Sequence, residues 1–362
     1  MEGYTVKLIH CSDLHLDSRM ETHLSPQQAQ TRRRELCTTF SRLVDYAVEQ
    51  KAAVVLLAGD VFDTERISAQ TVDFFLDAIA RAPGIDFLYL RGNHDESRRA
   101  FAGRTLPENL KTFSDTWTSY RYGSLCVTGA ELTRENAGTL YDSLSLSPED
   151  TNLVMLHGQI ATQRGEELVS LPDLRGKHIH YLALGHLHSY QSAPLDETGT
   201  YCYCGCLEGR GFDECGEKGF VLLNVEGQRV QQTFVPFAQR TLHDLAVDLT
   251  GLSTVGELQR AMEQAAEGLP SRDLLKFTFQ GSYTPETQKD LPFLTELFAP
   301  RFFSVRIKDE SRLAIQKGSY AHDVSLKGEF VRLVLATDLP ERVRDDIICC
   351  GIQALSGEEI TL

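Results

Sequence analysis

With 362 residues the chain can bury one large core or two unequal ones, and 42% hydrophobic with 24% charged residues is ordinary for a globular protein. A balance of 36 basic against 51 acidic side chains, net −15, argues against a protein that coats nucleic acid through charge alone. It does not exclude a nuclease, because bound metals cancel local carboxylate charge. The sequence has no run of eighteen apolar residues and no charged-then-apolar leader, so membrane insertion and secretion are not expected; the nine cysteines, an odd number, then read as reduced thiols in the cytoplasm.

Strands and helices alternate up to about residue 240: strand 5–10, helix 27–50, strand 53–58, helix 68–81 and strand 86–90. A helix near 133–143 and strands near 152–157 and 180–185 follow, then strands in series near 200–204, 219–225 and 229–236. Alternation followed by serial strands predicts a sheet-on-sheet α/β/β/α sandwich over residues 1–239. Residues 240–362 read as a smaller α/β domain, with strands 242–248, 274–280 and 302–308 and helices 254–267, 287–298, 324–336 and 340–355.

Five short fragments sit at the ends of apolar runs: Asp13-Leu14-His15, Gly59-Asp60-Val61-Phe62-Asp63, Gly92-Asn93-His94-Asp95, Leu156-His157-Gly158 and Gly185-His186-Leu187-His188. They hold five of the eleven histidines. Alone, each reads as well as a turn or cap, since Gly, Asn and Asp favour turns. Together, delivered in order by strands buried on both faces, they converge on one sheet edge with donors enough for two divalent ions. Carboxylate, amide and imidazole donors without a thiolate suit Mn²⁺, Fe²⁺ or Zn²⁺.

These fragments resemble the calcineurin-like metallophosphoesterases, whose pattern D-x-H, G-D-x-x-D, G-N-H-D/E, H and G-H-x-H is complete here. Ser12-Asp13-Leu14-His15-Leu16-Asp17-Ser18, Ala58-Gly59-Asp60-Val61-Phe62-Asp63-Thr64, Tyr203-Cys204-Gly205 and Phe212-Asp213-Glu214 narrow the resemblance to the SbcD/YhaO type of DNA repair nuclease subunit. It is specific over about 4–238. The resemblance implies one metal, most readily Mn²⁺, on Asp13, His15, Asp60 and His188, and a second on Asp60, Asn93, His157 and His186. Asp60 would bridge, His94 would protonate the leaving oxygen, and Asp95 would orient the His94 imidazole. It further implies DNA as substrate, exonuclease with single-strand endonuclease as a second activity, and a capping domain after residue 240. The resemblance also implies an SMC-like ABC ATPase partner of SbcC or YhaN type; few residues follow the last predicted helix, which weighs against the SbcC type.

Other features carry less. Arg98 and Arg99, just past the catalytic fragment, are candidates for contact with DNA, whereas Arg32-Arg33-Arg34 reads slightly better as the solvated face of a helix. Cys202, Cys204, Cys206 and Cys215 lack the knuckle spacing of a structural zinc site, and Cys349-Cys350 reads as core packing in a helix. His10, His178 and His180 read as ordinary strand-flanking residues. The same metal core would also serve a phosphomonoesterase, a cyclic-nucleotide phosphodiesterase, or a scaffold that binds DNA ends for an ATPase. A homodimer is left open.

Overall fold

Val-Val-Leu-Leu-Ala at Val54–Ala58 is buried at every position, as a central parallel strand covered on both faces must be. In the computed structural model, which describes residues 5–20, 24–63, 67–95, 101–285, 287–314 and 317–357, this strand sits mid-sheet. The chain divides into two compact units, Met1–Leu242 and His243–Leu362, a few residues past the boundary read from sequence.

The first unit opens with β1 (Val6–Cys11), α1 (Pro26–Glu49), β2 (Val54–Ala58), α2 (Ala69–Ala80) and β3 (Asp86–Leu90). Next come β4 (Leu110–Thr112), β5 (Thr118–Tyr122), β6 (Leu125–Gly129), β7 (Thr151–His157), the short β8 (Gln159–Ala161) and β9 (Leu168–Ser170), and α3 (Leu171–Leu174). The series closes with β10 (Ile179–Gly185), β11 (Gln191–Pro194), β12 (Thr200–Tyr203), β13 (Gly219–Glu226) and β14 (Arg229–Pro236). Two six-stranded sheets result, ordered β14-β13-β1-β2-β3-β4 and β11-β12-β10-β7-β6-β5. Their inner faces meet through Leu8, Leu56, Leu88, Val127, Met155, Ala183, Cys202 and Cys204. Alternate residues Ile9, Val55, Leu57 and Phe87 pack outward against Leu36, Phe40, Leu43 and Phe75 of α1 and α2. The far face of the second sheet is covered more thinly, by Tyr141, Leu144 and Leu174 on short turns. The layers are those of the expected α/β/β/α sandwich.

The helix expected near 133–143 is only a 3₁₀ turn, Leu140–Ser143. Asn136 explains the difference: its side chain accepts from the Thr133 amide (2.8 Å) and donates to the carbonyls of Asp115 and Glu131 (2.8 Å each). A side chain that satisfies backbone groups in this way competes with the helical ladder. Strands β4 to β6 were not expected from sequence. No helix among the described residues is long and apolar enough to cross a membrane.

The second unit builds a three-stranded sheet from β15 (Leu242–Asp248), β16 (Leu274–Gln280) and, past the short β17 (Ser282–Tyr283), β18 (Ser304–Asp309). Helices α4 (Val255–Ala265), with a Thr254/Glu257 capping box, and α5 (Leu291–Phe298) bury Leu258, Met262, Leu294 and Phe298 against Phe277 and Phe279. Helices α6 (Leu326–Leu335) and α7 (Glu341–Ser356) contribute Val331, Val334, Ile348 and Ile352 to a small cluster of their own.

Helix α1 corrects the reading of its arginines. Arg34 is exposed and Arg33 half-buried, but Arg32 is only 1% exposed. Its guanidinium bonds to Glu35, to Glu208 Oε2 (3.1 Å) and to the Gly209 carbonyl (2.7 Å). Glu208 is completed by the Thr39 hydroxyl and the Gln239 amide, at 2.7 Å each. Arg32→Ala would leave a buried carboxylate without its cation, and the first unit should lose about 3–5 kcal/mol, read as a lower urea midpoint. The paired change Arg32→Met with Glu208→Gln should recover most of that loss. A loss below about 1 kcal/mol in the single variant would mean that the cluster contributes no more than a solvated pair.

Candidate metal centre

Strands β1, β2 and β3 run parallel, as do β7 and β10, so all five fragments leave their strands toward the same edge. The first two loops are stitched together: the amides of Asp13, His15 and Leu16 donate to the carbonyls of Gly59, Asp60 and Val61 at 3.0, 3.0 and 2.8 Å. Asp13, His15, Asp60 and His186 take left-handed φ values of 52°, 44°, 52° and 111°. Such backbone costs on the order of 1–3 kcal/mol per residue and persists where the surroundings over-determine it. Two glycines make room. A Cβ on Gly59 would stand 2.1 Å from His157 Nδ1, and one on Gly92 would stand 2.2 Å from Asp60 Oδ1.

The side chains converge in overlapping groups of donors within 4.8 Å of one another: Asp13, His15 and His188; Asp13, Asp60 and His157; and His15, Asp63 and His94. His15 Nε2 and His188 Nε2 are 3.1 Å apart, and His188 Nε2 is 3.8 Å from Asp13 Oδ1. On the other side His157 Nε2 lies 3.0 Å from Asn93 Oδ1 and 3.3 Å from Asp60 Oδ2. Its Nδ1 contacts the Ala58 carbonyl at 2.8 Å, which fixes the ring and turns Nε2 toward the centre. His186 joins none of the three groups; its ring centroid stands 5.6 Å from that of His157, and its backbone amide donates to Asp13 Oδ1 at 3.1 Å. His94 is exposed, 5.2 Å from the His15 ring between centroids, and its amide donates to Asp60 Oδ1 at 2.9 Å.

The electrostatics favour a cation. Burial alone would raise the Asp60 carboxyl, but the hydrogen bond and charge of His157, with His15 and the His94 amide, hold it below the usual carboxylate range. Burial alone would lower the His157 imidazole, and Asp60 overrides this and lifts it to about 9. Positive charge is therefore stabilised at this point, whether a proton or a metal ion carries it. Burial lowers His15 despite the Asp63 carboxylate beside it, toward the neutral form that ligates. The donor set, oxygen and imidazole without thiolate, fits divalent ions of the Mn²⁺, Fe²⁺ and Zn²⁺ kind.

The profile of the calcineurin-like phosphoesterases matches residues 6–190, half of the chain, and so contains all five fragments. The chain belongs to this family. The phosphoesterase is 26% identical over 307 residues to the uncharacterized metallophosphoesterase YhaO of Bacillus subtilis, covering 78% of this chain and 74% of that one. It is 24% identical over 373 residues to the DNA double-strand break repair protein Mre11 of Sulfolobus acidocaldarius, covering 95% and 94%. Among solved structures, a dimetal phosphatase from Danio rerio aligns with a TM-score of 0.41 at 11% identity, over 64% of this chain and 99% of that one. The family consists of metal-dependent hydrolases of phosphoesters built around a dimetal centre.

Several roles in the phosphoesterase site differ from the expectation. Asp95 does not bond to the His94 ring: its carboxylate, 3% exposed, accepts from the amides of Phe62 (2.9 Å), Gly92 (3.0 Å) and Val61 (3.2 Å). It ties the second and third fragments together through backbone, a role no spacing in the sequence reveals. Cys202, Cys204 and Cys206 are fully buried, and no metal-donor group among the described residues includes them. Cys204 Sγ lies 3.1 Å from the Ser12 hydroxyl, which itself donates to the Asp13 carboxylate. His10 is wholly buried and bonds to the Tyr181 hydroxyl at 2.8 Å, so it is an inter-sheet residue rather than a flanking one. Arg98 and Arg99 lie outside the described residues. Arg210 and Glu214 went unassigned, although Phe212-Asp213-Glu214 marked the segment; Glu214 Oε1 stands 2.7 Å from His188 Nδ1.

Gly92→Ala tests the close packing of the site, because its methyl must push on the Asp60 carboxylate. Mn²⁺ affinity should fall by roughly 10–100-fold, and Tm should fall with it, because the same methyl would stand 2.6 Å from the Asp60 backbone nitrogen. Calorimetric titration returning the parent affinity would show that Asp60 moves aside freely.

Proposed function

We propose that this phosphoesterase is a two-metal phosphodiesterase acting on DNA, an exonuclease with single-strand endonuclease as a second activity. The observation that carries the metal part is the meeting of two donor groups, His15 with His188 and Asn93 with His157, around the buried carboxylates of Asp13 and Asp60. In this reading Asp13, His15, Asp60 and His188 hold one ion, Asn93, His157 and His186 complete the second with Asp60, and Mn²⁺ is the working metal. The DNA part is supported by the resemblance to a double-strand break repair protein over nearly the whole chain.

Bound ions would supply charge stabilisation and water activation for in-line attack at phosphorus. The chain's own residues do the rest. His94, exposed beside the His15 ring, can reach a leaving oxygen and deliver a proton to it. Asp95 holds the backbone of Val61, Phe62 and Gly92 so that Asp60 and Asn93 keep their places. Residues 240–362 are assigned as a capping-like accessory domain that limits which DNA shapes are used, and an SMC-like ABC ATPase as the partner.

A small-molecule phosphodiesterase is the second reading, favoured by a cavity of about 220 Å³ lined by Arg91, Asn93, His157, Glu131 and Glu166. Incubation with Mn²⁺ and labelled DNA beside cyclic nucleotides and a generic phosphomonoester separates the two. DNA turnover should dominate and should vanish on chelation; preference for the cyclic nucleotide would reverse the assignment. Asp60→Asn should lose most bound Mn²⁺ along with activity, and two ions retained would argue against bridging. His94→Ala should keep both ions while turnover falls by roughly 10²–10⁴. Loss of an ion in that variant would make His94 a ligand.

A further inference from the structure

Behind the metal-facing side of the site, three charged residues form a unit that none of the assignments above uses. Arg210 Nη1 donates to Asp63 Oδ1 at 2.7 Å, and the same oxygen lies 2.9 Å from His15 Nδ1, a charge contact outside hydrogen-bond geometry. Arg210 Nη2 and Nε donate to Glu214 Oε1 at 2.9 and 3.1 Å, and that oxygen lies 2.7 Å from His188 Nδ1. Each carboxylate thus shares one oxygen between the guanidinium and an imidazole. The two imidazoles are the pair whose Nε2 atoms meet at 3.1 Å.

The unit is anchored from both ends. Glu214 Oε2 accepts from the Arg210 backbone amide at 2.7 Å, and the preceding Gly209 carbonyl accepts from buried Arg32 at 2.7 Å. The loop carrying Arg210 is therefore fixed to α1. The opposite half of the centre is held differently, because His157 Nδ1 rests on the Ala58 backbone carbonyl. A planar fork holds two separate carboxylates in a pre-organised geometry; an ammonium on a flexible stem carries the charge with less fixed geometry.

We propose that Arg210 is a positioning residue that, through Asp63 and Glu214, fixes the rings of His15 and His188 and so sets the affinity of one ion site and not the other. This rests on the two-metal reading above. Without the guanidinium two adjacent carboxylates repel and swing apart; the His188 ring loses its hydrogen-bond acceptor and the His15 ring its carboxylate contact, the neighbours that aim each Nε2 at the ion. Losing such supporting contacts weakens metal binding by roughly 10–100-fold.

The test is titration of the full chain with Mn²⁺, followed by calorimetry and by the EPR signal of free Mn²⁺, for the parent, Arg210→Ala, Arg210→Lys and Glu214→Gln. The parent should bind two ions. Arg210→Ala should bind one with parent affinity and the other roughly 10–100-fold more weakly. Arg210→Lys should fall between the two. Combining Arg210→Ala with His188→Ala should add little to His188→Ala alone, whereas combining it with Asn93→Ala should be additive. Equal weakening of both ions, or of neither, overturns the proposal; so does intact metal binding with a raised KM for DNA, which would make Arg210 a substrate contact. If Arg210→Ala fails to fold, Arg210→Lys and Glu214→Gln decide by the same criterion. A parent chain that binds fewer than two ions overturns both this proposal and the reading beneath it. Two ions bound without hydrolysis of any phosphoester would overturn the activity alone, since the role of Arg210 is read from metal affinity.

Discussion

Asp13 and Asp60 are 1% and 2% exposed and lie side by side at the ends of adjacent parallel strands. Burying two carboxylates together is among the least favourable arrangements a chain can adopt unless positive charge and hydrogen-bond donors meet them. Much of the surrounding structure can be understood as meeting that demand. The amides of His186 and His94 donate to the two carboxylates, and the His157 imidazole is drawn to Asp60 strongly enough to be lifted to about 9. Divalent cations, which the family binds as a pair, would meet the same demand more fully than protons do.

Two sheets are needed to satisfy it. Asp13, Asp60 and Asn93 come from one sheet and His157, His186 and His188 from the other, so the inter-sheet core of Leu56, Met155 and Ala183 holds the two halves in register. The left-handed residues belong to the same bargain between fold and site. Asp13, His15 and Asp60 turn their side chains inward only because the first two loops bond to each other through backbone. Relaxing those φ angles would ease the local chain and scatter the donors.

What the sequence disclosed follows from how local each signal is. Asp13, His15, Asp60, Asn93, His157 and His188 stand at the ends of apolar runs, so period and punctuation place them. Asp63, Arg210 and Glu214 meet only after the 204–214 segment folds back, and nothing in their spacing reports that contact. Arg32 is the instructive failure: it lies three residues after Ala29 and four before Leu36, on the buried stripe of α1, yet its place in a run of three arginines suggested solvent. The missing helix at 133–143 turned on Asn136, whose side chain outcompetes the ladder where Gly138 has already weakened it. Asp95 bonds to backbone amides rather than to the His94 ring, and backbone amides leave no mark in a sequence.

The spread of the donors along the chain also bears on when the centre comes into being. Asp13 and the His186 amide that caps it are 173 positions apart, and the Glu214 that steadies His188 comes later still. Contacts so distant carry a large loop-closure cost that must be met before they stabilise the fold. A chain emerging from the ribosome therefore holds Asp13, His15 and Asp60 long before it holds the imidazoles from the second sheet. Until the strands that deliver His157, His186 and His188 have folded, the nascent protein lacks the full set of candidate metal donors.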